Sequence, residues 1–110
     1  MALPKARRLS RSADIRKVFS HSVSAKIGRV VIKASKSKQG APRFAVVVSK
    51  TVEKSAVKRN RIRRLLQEGA RGQYANAGAR DVVLIALPGV ALKNAEDASE
   101  VVRKLFTRIS

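Results

Sequence analysis

The sequence of 110 residues contains no cysteine and no tryptophan. Without cysteine the chain cannot form a disulfide bond, bind zinc through thiolates or use a thiolate nucleophile, and it suits a reducing compartment. Long apolar runs are missing as well, because no stretch approaches the roughly 18 apolar residues that span a membrane. The basic N-terminus, residues 1–12, lacks the apolar core of a secretory signal. We therefore expect a cytoplasmic protein without a membrane partner.

Residues that catalyse by proton transfer are scarce. The chain has one histidine, His21, and seven acidic residues, which are scattered without the spacing of a metal-binding loop. A protein that cleaves RNA by itself needs a general acid and a base, or several carboxylates that converge on divalent metal ions. We interpret His21 as a solvated residue at a helix end and Asp81 as a turn or cap residue. The sequence thus predicts no catalytic residue and no metal ligand in this chain.

Basic residues greatly outnumber acidic residues in this sequence. Lysine and arginine number 25 against seven acidic residues, which gives a formal net charge of +18 and a pI near 11.8. Residues 1–80 hold 21 basic and 3 acidic side chains, whereas residues 81–110 hold 4 of each. A charge this localised indicates a surface for a polyanion. Because 45% of the residues are hydrophobic, we expect one folded domain over residues 1–110, with residues 1–9 as a basic arm.

The first half of the chain predicts a helix followed by strands. A helix begins at Ser10 or Ser12, either of which can cap it, and ends near His21. Its apolar residues share one face: Ile15, Val18 and Phe19. A strand follows Gly28 with one basic face, and residues 43–49 form a second strand. A short polar turn separates the two strands, so the sequence predicts that they pair as a hairpin.

The second half alternates helix and strand. Residues 55–70 have helical periodicity with an apolar stripe, and residues 71–80 have the composition of a loop. Residues 81–87 (DVVLIAL) are a continuous apolar run that suits a strand buried on both faces. The intervening helix favours a parallel pairing of this strand with residues 43–49. A last helix begins near Asn94.

The most distinctive motif is residues 56–64 (AVKRNRIRR). This segment follows a predicted strand, begins a predicted helix and contains five basic residues. Their position favours contact with RNA or phosphate over a merely solvated basic face. The aromatic residues are few. We predict that Phe44 and Phe106 are core residues, whereas Phe19 fits either the core or a stacking contact with single-stranded RNA.

These motifs, in order and spacing, resemble the bacterial ribonuclease P protein component. The central resemblance comprises residues 47–50 (VVSK), 53–57 (EKSAV) and 59–64 (RNRIRR). The resemblance extends to residues 3–5, 8–9 and 14–19, and to the strand 81–89. It implies an α/β, or α+β, two-layer sandwich with a mixed sheet of about four strands. The implied order is α-β-β-β-α-β-α with a left-handed β-α-β crossover, and residues 23–27 can supply the additional strand.

The resemblance also implies the function. In this family the RNA subunit is catalytic, holds Mg²⁺ and cleaves precursor tRNA to release the 5′ leader, and the protein assists as a subunit of the ribonucleoprotein. Carried over by position, the residues expected to bind ribonuclease P RNA are Lys54, Lys58, Arg59, Asn60, Arg61, Arg63 and Arg64. Those expected to bind the leader of precursor tRNA, in a cleft between the first helix and the sheet, are Ile15, Phe19, Arg29, Lys33 and Lys50. No obligate protein partner is evident.

Two positions depart from the family pattern. Ile15 stands where many relatives have an aromatic residue, and Leu87 stands near where relatives often carry a basic one. An alternative function is also compatible with the charge: a small ribosomal or general structural RNA-binding protein without a nuclease role. A protein-only nuclease would have to use His21.

Overall fold

The computed structural model describes residues 9, 12–20, 22–37 and 40–109. Residues 1–8 of the predicted arm 1–9, the candidate cap Ser10 and the histidine His21 lie outside the described residues. Within them are three α-helices and four strands, with a short 3-10 helix at Tyr74–Asn76. The elements in chain order are α1 (Ser12–Ser20), β1 (Val23–Ile27), β2 (Val30–Lys36), β3 (Arg43–Val47), α2 (Ala56–Gly72), β4 (Arg80–Ala86) and α3 (Ala95–Ile109).

The four strands form one mixed sheet in the order β1-β2-β4-β3. Strand β4 pairs in parallel with β3, which confirms the predicted pairing, and antiparallel with β2. The predicted hairpin of β2 with β3 is wrong, because β4 lies between them. Strand β2 instead forms its hairpin with β1, through a turn in which Gly28 has a φ of +57°. A strand that is apolar on both faces needs neighbours on both edges and layers on both sides, and only a central position supplies them.

One face of the sheet carries the main core. Residues 30, 32 and 34 of β2 point to this face, as predicted, and α2 and α3 cover it. Phe44 and Phe106 are both buried there, with ring centroids 6.2 Å apart, which confirms them as core residues. Fully buried aromatic and branched side chains thus hold the two long helices against the sheet.

Helix α1 covers part of the opposite face. Val18 is fully buried against Val83 and Leu9, and the backbone amide of Leu9 donates to the Phe44 carbonyl at 2.6 Å. Further along this face, Val31, Val47 and Ile85 are only half-buried. A single short helix therefore leaves an accessible strip of sheet beside it.

Helix α2 is longer than predicted, since it continues through Gly72 into a segment that we expected to be a loop. Its apolar stripe is confirmed: Leu66 and Gly69 are buried, whereas Leu65 is half-buried. Gly69 contacts α3 so closely that a Cβ at this position would lie 2.7 Å from Cγ2 of Val102. In the described part of the chain, no helix combines the length and apolarity needed to cross a bilayer.

Candidate RNA-binding surfaces

The start of α2 is fixed by local hydrogen bonds. The Ser55 hydroxyl caps the helix by accepting from the Lys58 amide at 3.3 Å. The Glu53 carboxylate accepts from the Ser55 amide at 3.1 Å. The cationic residues that follow are therefore presented from a defined helix end and not from a loose loop.

Seven residues at this end of α2 form what we call the α2 basic surface. They are the residues expected from the family resemblance to bind the RNA subunit: Lys54, Lys58, Arg59, Asn60, Arg61, Arg63 and Arg64. Lys54, Lys58 and Arg64 are exposed, and no hydrogen bond or ion pair engages their side chains within the described residues. These cations are placed to neutralise phosphates of a polyanion.

Two arginines of the α2 basic surface bind the protein's own backbone. Nη1 of Arg59 donates to the carbonyls of Glu53 at 2.9 Å and Lys54 at 2.7 Å. Arg61 reaches across to the segment before α3, where its two Nη atoms donate to the carbonyls of Leu92 at 3.3 Å and Lys93 at 2.9 Å. The contacts of Arg61 could not be predicted from the sequence, because the carbonyls that accept from it lie 31 and 32 residues away.

Asn60 and Arg63 are coupled, since Nη1 of Arg63 donates to Oδ1 of Asn60 at 2.7 Å. The amide oxygen is thereby engaged, which leaves the NH₂ group of Asn60 as the donor of this side chain. Beside them Val57 exposes 76% of its surface in the middle of the cations. This side of α2 offers donors, charge and one apolar contact to a ligand.

We call the space between α1 and the sheet the α1 cleft. The residues expected there are Ile15, Phe19, Arg29, Lys33 and Lys50. Of these, Ile15 and Phe19 lie on α1, and Lys33 lies on β2 beside Phe19. Phe19 is 45% exposed, and Nζ of Lys33 lies 5.9 Å from the centroid of its ring. The structure thus places Phe19 outside the core, partly exposed and with the ammonium of Lys33 over its ring. Ile15 is half-buried against the apolar cluster of Leu9 and Val18.

Arg29 and Lys50 lie at one end of the sheet. Arg29 is in the β1–β2 turn, where its carbonyl accepts from the Leu87 amide at 2.8 Å, and its side chain is exposed. Lys50 follows β3, whose last residue, Val47, is level with Ile85 in the register of β4. The strands therefore bring Arg29 and Lys50 to the same end, while Lys33 lies further along β2 beside Phe19.

An ion-pair network links α1 to strands β3 and β4. Arg43 at the start of β3 donates to both carboxylate oxygens of Asp81 and, at 3.5 Å, to Asp14 of α1. The hydrogen bonds that the Asp81 carboxylate accepts from Arg43 are the main cause that raises the pKa of Arg43 above its ordinary value. Asp81 is buried in β4, and its side chain pairs with Arg43 on the neighbouring strand β3. The predicted turn or cap role of Asp81 is therefore wrong.

The carboxylates of the chain serve structure. Six of the seven have a hydrogen-bonding or ionic partner within the described residues: Asp14, Glu53, Glu68, Asp81, Asp97 and Glu100. Nowhere in those residues do three or more histidine, cysteine, aspartate or glutamate side chains gather so as to hold a metal ion.

Comparisons with known proteins agree with this reading. The family model of ribonuclease P matches residues 3–110. The ribonuclease P protein component of Salmonella arizonae is 32% identical over 108 residues, which are 98% of this chain and 91% of that protein. That of Chromohalobacter salexigens is 36% identical over 94 residues, which are 84% of this chain and 73% of that protein.

Solved structures show the same fold. The RNase P protein of Staphylococcus aureus superposes with a TM-score of 0.82 at 22% identity and covers 94% of this chain and 95% of its own. The RNase P protein of Thermotoga maritima, solved with 1-(4-fluorophenyl)-2-thiourea, superposes with a TM-score of 0.80 at 22% identity, covering 94% of this chain and 100% of its own. The chain therefore belongs to the ribonuclease P protein family, whose members are the protein components of an endoribonuclease that processes tRNA.

Proposed function

We propose that this protein binds ribonuclease P RNA through the α2 basic surface and the 5′ leader of precursor tRNA through the α1 cleft. The observation that carries the proposal is the distribution of charge: all of the net +18 lies in residues 1–80, and α2 and the open sheet face expose much of it. Phosphates on a folded RNA and on a single-stranded leader are the polyanions that such surfaces fit.

The catalytic centre and its Mg²⁺ are assigned by this proposal to the RNA subunit. Ion pairs within the protein support this assignment. Arg43 pairs with Asp14 and Asp81, and Arg103 pairs with Glu100, so these carboxylates already have cationic partners. The protein contributes positive charge that lowers the repulsion between precursor tRNA and the RNA subunit. Less Mg²⁺ is then needed to bring the two RNAs together.

The α1 cleft suits a leader of variable sequence. Phe19 offers an aromatic face to any base, and Lys33, Arg29 and Lys50 offer charge to any phosphate. Neither kind of contact reads the edge of a base, so both tolerate sequence changes. Ile15 adds apolar surface in place of the aromatic side chain found in many relatives.

Reconstitution tests the proposal. Purified protein is added to the ribonuclease P RNA of the same organism at low Mg²⁺, and cleavage of precursor tRNA is followed over time. We expect the protein to restore cleavage that the RNA alone performs poorly. Absence of stimulation, or cleavage by the protein in RNA-free preparations, would contradict the proposal.

A matched pair of variants locates the RNA-binding surface. Lys58→Glu with Arg64→Glu reverses two exposed cations on α2, and Lys104→Glu with Arg108→Glu reverses two on α3. Both variants change the net charge equally, so only the α2 variant should lose stimulation. Equal loss in both variants would show that charge acts without regard to position.

The ribosomal or general RNA-binding function makes a different prediction from the same net charge. In lysate fractionated on a gradient, such a protein sediments with ribosomes. A ribonuclease P subunit sediments with ribonuclease P RNA, and hybridisation to that RNA identifies the fractions. Sedimentation with ribosomes alone would favour the alternative.

A further inference from the structure

A pocket of about 380 Å³ lies between the first turns of α2 and the segment that precedes α3. Its wall is apolar, formed by Ile62, Val90 and the buried Leu92. The segment is held in shape by a turn in which the Val90 amide donates to the Leu87 carbonyl at 3.1 Å. Lys58 and Arg61, which also line the pocket, are among the residues expected to bind RNA, whereas the three apolar residues are not. No residue of the α1 cleft lines this pocket.

Arg61 forms an immobilised edge of this pocket. Its guanidinium is held by the carbonyls of Leu92 and Lys93, so its plane is fixed before any ligand arrives. A fixed guanidinium plane is a good stacking partner for a nucleobase, because little side-chain entropy is lost on binding. These hydrogen bonds use the N–H groups at the edge of the guanidinium. The flat faces of the guanidinium are then the part that can stack on a base.

Positive charge predominates at the rim of the pocket. Lys58 and Lys93 are exposed cations on opposite sides, from α2 and from the segment before α3. Glu53 is the one acidic residue that lines the pocket, and its carboxylate can also accept from an N–H on the edge of a base. An apolar wall with a cationic rim fits a ligand that is flat and apolar at one end and anionic at the other.

The geometry points to a binding site for a single unstacked nucleotide of RNA in this pocket. The base lies against Ile62, Val90 and the plane of Arg61, and its phosphate lies between Lys58 and Lys93. A phosphate alone would leave the apolar wall without a partner, and an apolar peptide would leave the two ammonium groups without one. The inference rests on the proposed function, because the nucleotide belongs to the RNA that the α2 basic surface binds.

The wild-type protein provides the first test. Methyl signals of Ile62, Val90 and Leu92 are followed by NMR during titration with AMP and, separately, with ribose 5-phosphate at the same concentrations. We expect AMP to shift all three residues and ribose 5-phosphate to leave their methyl signals in place. Equal methyl shifts from both ligands, or none from AMP, would overturn the inference.

A substitution that fills the pocket provides the second test. Ala91 lines the pocket and is exposed, so Ala91→Trp occupies the base-binding space and leaves every cation in place. The control is Ala75→Trp, an equally exposed site in the 3-10 helix after α2. We expect Ala91→Trp to weaken binding of ribonuclease P RNA about 10-fold, as loss of one stacked base does.

The outcomes separate this inference from the proposed function. If the wild type binds ribonuclease P RNA and Ala91→Trp binds it as tightly as Ala75→Trp does, the nucleotide pocket is wrong and the proposed function stands. If the wild type does not bind that RNA, both are wrong. Thermal unfolding of each variant checks that the fold is intact, and an unfolded Ala91→Trp variant leaves the decision to the wild-type titration.

Discussion

Arg43 and Asp81 form a bidentate ion pair between the parallel strands β3 and β4, with both N–O distances at 3.0 Å. The two residues are directly opposite each other in the strand register, and Asp14 of α1 approaches the same guanidinium. One arginine therefore ties a helix to two strands. Because α1 also carries Phe19, this contact helps to set the width of the α1 cleft.

Replacing Asp81 by Asn should destabilise the protein and widen the α1 cleft. The substitution keeps the shape of the side chain but leaves Arg43 without its main counter-charge, and we expect a cost of about 2–3 kcal/mol in the free energy of unfolding. Urea denaturation measures it. Arg103→Gln, which breaks an exposed ion pair with Glu100, is the control and should leave the unfolding midpoint unchanged. Equal midpoints for the two variants would contradict the prediction.

Phe19→Ala should weaken binding of precursor tRNA to the holoenzyme by about 5- to 10-fold, because one stacking surface is lost. Binding of mature tRNA, which has no leader, should not change. Val23→Ala removes another exposed apolar side chain, 53% accessible, from β1 and should affect neither ligand. A parallel loss for precursor and mature tRNA would place Phe19 outside the leader contact.

The plot of log affinity for ribonuclease P RNA against log salt concentration has a negative slope. Arg64→Ala should lower the magnitude of this slope by about one, without a change in Tm. Arg61→Ala should lower Tm as well, because the carbonyls of Leu92 and Lys93 lose their donor. Filter binding over a range of salt concentrations, with thermal unfolding of each variant, checks both. An unchanged slope for Arg64→Ala would remove that residue from the RNA contact.

Gly69→Ala should destabilise the packing of α2 against α3. The new methyl group meets Val102 at 2.7 Å and the Ala98 carbonyl at 3.1 Å, and crowding of this kind costs about 1–3 kcal/mol. Gly72→Ala is the matched control, since no atom beyond its chain neighbours and the adjacent helix backbone lies within 4 Å of its added Cβ. That variant should be neutral or more stable by up to about 1 kcal/mol, because alanine favours the helix. Thermal unfolding distinguishes the two, and equal stability would contradict the close contact.

Much of the fold could be predicted from periodicity. The apolar run at residues 81–87 correctly indicated a strand buried on both faces, and the helix between it and β3 correctly indicated parallel pairing. The hairpin of β2 with β3 failed because adjacency in sequence is a weaker constraint than burial: β4 needed two neighbours and separated them. The left-handed crossover implied by the family resemblance stays a prediction.

The candidate sites were predictable in composition but not in geometry. The cations of α2 could be read directly from residues 54–64. The contact of Arg61 with the carbonyls of Leu92 and Lys93 could not be predicted, because it depends on where a segment distant in sequence comes to lie. Asp81 was noticed for its position before a buried strand, yet its partner Arg43 is 38 residues away and only the sheet register brings them together.

The position of β4 in the sheet has a consequence for synthesis of the protein. Strand β4 joins the β1–β2 hairpin to β3, and it is the last of the four strands to be translated. Until residue 86 has left the ribosome, the hairpin and β3 have no common partner, although nearly all of the cationic residues are already exposed. Long-range pairings of this kind form late. The nascent chain therefore carries most of its positive charge among ribosomal RNA before it has a complete sheet.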